Sequence, residues 1–147
     1  MRTVTRKIHV VAAFASILFI AGFWTSSVLT ELFLSRNAVA AVKLAIVYAL
    51  IAFIPTMATV AGTGLSLAGK SAHPLVVAKR RRMPVIALTG LLVLVPAALY
   101  LNAKAQAGEF DSLFYLVQIV ELLAGLSNLT LMGMNIRDGL RVARPAK

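Results

Sequence analysis

Apolar residues fall into four runs, 8–30, 44–68, 84–101 and 113–136, and most polar and charged residues lie between and around them. Each run has the length, about 17–25 residues, that a helix needs to cross the hydrocarbon core of a bilayer. The pattern predicts an all-α, integral membrane four-helix bundle occupying 1–147 as one domain, with no internal repeat, heptad seam or low-complexity tail. The connections agree with it. Ser35-Arg36-Asn37 makes a short hairpin, and Gly69-Lys70-Ser71-Ala72-His73-Pro74 ends the second helix, since Pro74 biases His73 away from helical geometry. A start of the third helix at Pro74 is also compatible, because proline suits the first helical position, with Ser71 or His73 near the cap. Residues 79–82 would then ride on an extension of that helix. The first run is too long for the apolar region of a cleaved signal sequence, and no cleavage pattern follows it.

Composition strengthens the membrane assignment. The 147 residues are 60% hydrophobic and 14% charged, against about 45–50% and 25% for a soluble domain. Disorder is excluded. The net charge of +10 is the usual mark of a nucleic-acid binder, but here the basic residues would share one small surface with four long apolar stretches, so no nucleic-acid partner is expected. The absence of cysteine removes disulfides, thiolate metal sites, iron–sulfur clusters and cysteine nucleophiles. A metal or cofactor must be held by His, Met, carboxylate, Lys or Tyr.

The positive charge reads instead as topology. Twelve of the fifteen basic residues belong to the N-terminus (Arg2, Arg6, Lys7), the second connection (Lys70, Lys79, Arg80, Arg81, Arg82) and the C-terminus (Arg137, Arg141, Arg144, Lys147). Short cytoplasmic segments collect Lys and Arg, so both termini are expected in the cytoplasm and the chain in a bacterial inner membrane. Arg36, Lys43 and Lys104 fall to the outer side, balanced by Glu31, Glu109 and Asp111.

Two stripes lie on the helices. On the second, Ala45, Ala49, Ala52, Thr56, Thr59, Thr63 and Ser66 recur at alternating spacings of three and four, the face expected to pack closely against a neighbouring helix. A polar pathway or cofactor wall is the sharper alternative. On the fourth, Gln118, Glu121, Gly125, Asn128, Met132 and Asn135 share one face. An ionisable group at membrane depth usually faces the bundle interior. Glu121 lies about 12 Å in from Leu113, as a structural hydrogen-bonded glutamate, at a subunit interface for example, or as a proton- or quinone-handling one. Gln118 and Asn128 read first as interhelical glue.

His9 and His73 are the only histidines, and the topology puts both on the cytoplasmic side. Without cysteine, imidazoles are the natural axial ligands for haem iron, and a pair of them gives a low-spin b-type centre. Arg6, Lys7 and the run from Lys79 through Arg80 to Arg82 are placed to pair with haem propionates. The alternatives are two interfacial histidines without metal, and His9 alone opposite Lys79, Met132 or Met134.

The run Lys7-Ile8-His9-Val10-Val11-Ala12, followed by Gly22-Phe23-Trp24, resembles the opening of small bacterial four-helix membrane proteins. These are the coproporphyrinogen/protoporphyrinogen oxidases of the HemJ type and CopD-like domains. Gly62-Thr63-Gly64-Leu65 and Ala78-Lys79 are similar to that pattern too, so the resemblance covers short pieces of about the first 80 residues. It implies His9 as a haem ligand and Lys79 as its partner. The chain departs from the pattern in the order of Trp and Gly and in having no further histidines.

Two functions follow as expectations. One is a small b-type haem protein exchanging electrons with quinone or oxidising a porphyrin-like substrate, an oxidoreductase if it is an enzyme. The other is a non-catalytic module or small carrier that works as a homodimer through the Glu121 stripe. Serine, metal-hydrolase and phosphate-loop chemistries lack their constellations.

Overall fold

The structure, a computed structural model, describes residues 2–143, so Arg144 and Lys147 lie outside the described residues. The chain forms four long helices: α1 (Arg2–Phe33), α2 (Arg36–Ala68), α3 (Pro74–Gln106) and α4 (Ser112–Ala143). All four are long and apolar enough to cross a membrane. Each exceeds the apolar run that predicts it, because a helix satisfies its own backbone hydrogen bonds and continues into charged flanks. The third helix does start at Pro74. One consequence is a correction: Arg36 and Lys43, expected in an outer connection, are helical.

The ends of the helices have identifiable causes. Ser35 caps α2, its hydroxyl accepting from the Ala38 N–H. Gly69 ends α2 at φ 48°, ψ −134°, a conformation open to glycine because it lacks Cβ. Arg80 reaches back from α3 and donates to the carbonyls of Gly69 (2.8 Å) and Ser71 (3.4 Å), supplying a cation to the negative end of the α2 dipole. Within α3, Gly90–Leu94 is a π turn in which Val95 N–H bonds Gly90 C=O. The next residue, Pro96, has no N–H to offer a regular α ladder, and a π turn is one way a helix absorbs that break.

The helices pack around a ring, α1 on α2, α2 on α3, α3 on α4 and α4 on α1, with no backbone contact across either diagonal. One end of the bundle carries the start of α1, the α2–α3 connection and the end of α4, and is the basic end. The opposite end carries the α1–α2 and α3–α4 connections. The interior holds an apolar cluster of Ile20, Ile46, Leu50, Phe53, Ile86, Ala98 and Met132, with Phe19, Phe23 and Phe53 in tilted and edge-on contacts 5.7–5.9 Å apart. A second cluster, Val39, Leu101, Ala105 and Phe114, closes the opposite end.

Polarity is distributed inside out relative to a water-soluble domain. Ser16, Ser27, Lys43, Gln118, Asn128 and Asp138 are buried, whereas Leu18, Ile51, Leu92 and Leu123 are 70%, 74%, 69% and 62% exposed. A surface so apolar calls for a lipid-like surrounding.

Most of the α2 stripe of small residues faces away from the bundle interior, Thr63 beside His9 being the exception. Ala45, Ala52, Thr59 and Ser66 are exposed, and the hydroxyls of Thr56, Thr59 and Thr63 donate to carbonyls of Ala52, Pro55 and Thr59 in their own helix. The buried face of α2 is instead Val39, Lys43, Ile46, Leu50, Phe53 and Val60, because larger side chains are needed to fill a ring of four helices that leaves the diagonals open.

In the α3–α4 connection, Lys104 donates to Asp111 (2.8 Å) and Glu109, and the other Asp111 oxygen accepts the Phe114 N–H at the start of α4 (2.8 Å). The Lys104 ammonium first, and that N–H after it, hold the Asp111 carboxyl below the usual carboxylate range. Its contribution is therefore complete above the unfolded value of about 3.9 and is lost as pH falls through the lower folded value. In acid unfolding, Asp111→Asn is expected to flatten this low-pH segment of the stability curve while changing stability little at neutral pH, since the cluster is exposed and screened.

Candidate functional site

At the basic end the four helices enclose a cavity of about 370 Å³, within the range of about 300–1,000 Å³ typical of small-molecule sites. Its wall is mostly apolar and includes Phe14, Met57, Val60, Val76, Ile86 and Met132. Its polar groups are Arg6 and His9 from α1, Lys79 and Arg80 from α3, and Asn135 from α4.

His9 is held from α2. Its Nδ1 lies 2.9 Å from Thr63 Oγ1, and the Thr63 hydroxyl hydrogen is already directed to the Thr59 carbonyl. Thr63 Oγ1 is therefore the acceptor, which assigns the proton to Nδ1 and leaves a lone pair on Nε2. The ring sits so close to α2 that a Cβ on Gly64 would come within 3.2 Å of His9 Cε1, which gives Gly64 its reason to be there. The tie of a histidine's second nitrogen to a hydroxyl or carbonyl is the arrangement that orients a ligating imidazole.

Lys79 lies within electrostatic reach of His9 and crosses to α4, where a Cβ on Gly139 would lie 3.0 Å from its Nζ. It is half-buried and makes no ion pair or hydrogen bond among the described residues. Asp138, the carboxylate at this end, is engaged elsewhere: it accepts from Arg82 (2.6 Å) and Arg137 (3.1 Å), and Arg82 also donates to Asn135 (3.3 Å). The Arg82–Asp138 bridge between α3 and α4 is not evident from spacing, although Asp138 continues the α4 stripe three residues beyond Asn135.

His73 is used differently. Its Nδ1 accepts the Leu75 N–H as the N-cap of α3, the side chain is exposed, and it does not line the His9 cavity. Pro74 at the first helical position puts His73 at the cap, so the two histidines are not brought together. Arg80 lines the cavity, but its guanidinium is committed to the end of α2.

The α4 stripe faces the interior as expected: Gln118, Gly125, Asn128, Met132 and Asn135 are buried. Asn128 donates to the Ile86 carbonyl on α3 (3.2 Å), and Gly125 leaves space for Trp24, whose Nε1 donates to the Leu122 carbonyl (3.0 Å). The surprise is at Glu121. Lys43, expected outside, is 1% exposed and places its ammonium 2.7 Å from Glu121 and 3.2 Å from the Ser27 hydroxyl. The pair runs from α2 to α4 across the open diagonal of the ring. A small cavity of about 50 Å³ borders Glu121 and Ser27 and reaches the π turn at Gly90 and Leu94. The signal for Lys43 lay in spacing: Val39, Lys43, Ile46, Leu50 and Phe53 advance by four, three, four and three.

Among the described residues no three His, Cys, Asp or Glu side chains gather to hold a bare metal ion. Fold and site together define an all-α bundle of four helices long and apolar enough to cross a membrane, with an apolar cavity at its basic end. No protein-family model, curated protein or solved structure matches the chain.

Proposed function

We propose that the chain is a small protein of the bacterial inner membrane, with both termini cytoplasmic, that binds haem b in the cavity at its basic end. The orientation is supported by the concentration of Lys and Arg at that end. One observation carries the ligand assignment: His9 lines an apolar cavity with Nδ1 tied to Thr63, and Nε2 has no hydrogen-bond partner among the described residues. Haem brings four nitrogens to its own iron, so it asks the protein for one or two ligands rather than three. That matches a site with a single imidazole. Met132 or Lys79, which line the same cavity, would supply a second ligand, and Arg6 and a Lys79 not so used would pair with the propionates. Bound there, haem would supply one-electron chemistry toward quinone or a porphyrin-like substrate. A carrier working through Glu121 is less well supported, because Lys43 and Gln118 already occupy that carboxylate.

The test is addition of haem to the purified full chain in lipid or detergent. A sharp Soret band saturating at one haem per chain is expected, and a spectrum no different from haem in empty micelles would sink the proposal. Thr63→Val keeps the shape of its side chain but cannot accept from His9. It is expected to weaken haem binding by about 10–100-fold, the usual effect of losing a partner of a metal-ligating histidine.

A further inference from the structure

We propose that the Glu31 carboxyl, at the end of the bundle that also holds the Lys43–Glu121 pair, carries one exchangeable proton whose presence balances the charge of that trio. The site is separate from the His9 cavity and does not depend on haem binding. Glu121 Oε2 receives the Lys43 ammonium at 2.7 Å and Gln118 Nε2 at 3.1 Å. Glu31, the second carboxyl, lies within electrostatic reach of both Lys43 and Glu121, yet its Oε1 is buried and has no hydrogen-bond partner. Gln118, 4% exposed and aimed at Glu121 through its amide nitrogen, also leaves its Oε1 buried and unpartnered.

Glu31 Oε1 and Gln118 Oε1 are each a buried acceptor short of a donor, and a buried acceptor without a donor is costly. Charge balance makes the same demand. One ammonium against two carboxylates leaves a net negative charge inside an apolar bundle, which is unfavourable unless neutralised. A single proton on Glu31 brings the trio to neutrality and turns the orphan acceptor of Glu31 into an O–H donor. The protonation step is balanced: the Glu31 carboxylate takes H⁺ from water at that end of the bundle, and its release reverses the step. α1 contributes Glu31, α2 contributes Lys43 and α4 contributes Glu121. The charge α3 brings to this end, Lys104, is committed to Glu109 and Asp111. Arg36 lies over the Phe110 ring instead.

Infrared spectroscopy of the haem-free full chain in lipid reads the proton directly, through the C=O stretch of a protonated carboxyl and its shift in heavy water. At pH 7 one such band per chain is expected. Glu31→Gln removes it. Glu121→Gln also removes it, because Lys43 then faces a single carboxyl and needs its negative charge. A wild-type protein without the band at pH 7, which requires no variant to fold, overturns the proposal. So does a band that survives Glu31→Gln, or one that survives Glu121→Gln, since Glu31 would then hold a proton that does not balance the charge of the trio.

Discussion

Lys43→Met is expected to destabilise the bundle by about 3–5 kcal/mol, the usual cost of removing one partner from a buried ion pair. Methionine matches the aliphatic stem closely, so the change deletes charge and hydrogen bonds with little loss of volume. It leaves the Glu121 carboxylate with Gln118 but without a cation, and it withdraws the one side-chain hydrogen bond between α2 and α4 among the described residues, helices that do not touch through their backbones. Stability read from denaturing-detergent titration of the reconstituted protein should show the loss. Adding Glu121→Leu to Lys43→Met should return most of it, because replacing both charges by apolar groups of similar size is often neutral or favourable. If Lys43→Met costs less than about 1 kcal/mol, the pair is not a buried, desolvated bridge, since exposed pairs are the ones worth so little.

His9→Ala is expected to cut haem affinity by more than about 100-fold, since loss of a hydrogen-bond partner of a ligating histidine alone costs about 10–100-fold. The ligand itself should count for more. His73→Ala should leave both affinity and spectrum unchanged, because His73 caps α3 and does not line the cavity. Lys79→Met separates two roles for that amine. If Lys79 pairs with a propionate, affinity falls and the band position stays. If it is the ligand opposite His9, the band position moves with it. Equal loss of affinity in His9→Ala and His73→Ala would return the pair of histidines to the site and remove the single-imidazole assignment.

Helix number and the inward face of α4 were legible from hydrophobic spacing, because lipid-facing and interior positions differ in polarity at a fixed period; the start of α3 at Pro74 was an alternative to the apolar run 84–101, open because proline suits the first helical position. The α2 stripe misled for a physical reason. Small residues mark positions where a second helix can come close, but they do not say whether that helix belongs to the same chain, and here Ala45, Ala52 and Thr59 face outward. Lys43 was hidden by its charge. Starting the second helix at its first apolar residue, Leu44, assigned the lysine to water, although its spacing from Ile46, Leu50 and Phe53 placed it inside. Of the candidate site, His9, Lys79, Arg6 and Arg80 do converge on one cavity. The Thr63 tie and the Arg82–Asp138 bridge join residues more than 50 positions apart, and only the packed structure brings such partners together.

The π turn of α3 gives residue count a meaning of its own. At about 100° per residue, an unbroken α-helix that buries Ile86 would carry Leu101 about 60° and Ala105 about 100° around from it, yet all three are buried. The extra residue taken up in Gly90–Leu94 winds the helix back by roughly that amount and restores a common inner face. α3 therefore works as two half-helices whose phases are set by a splice between them. Shortening that splice by one residue would leave the composition and hydropathy of the span nearly unchanged while rotating its far half toward the lipid.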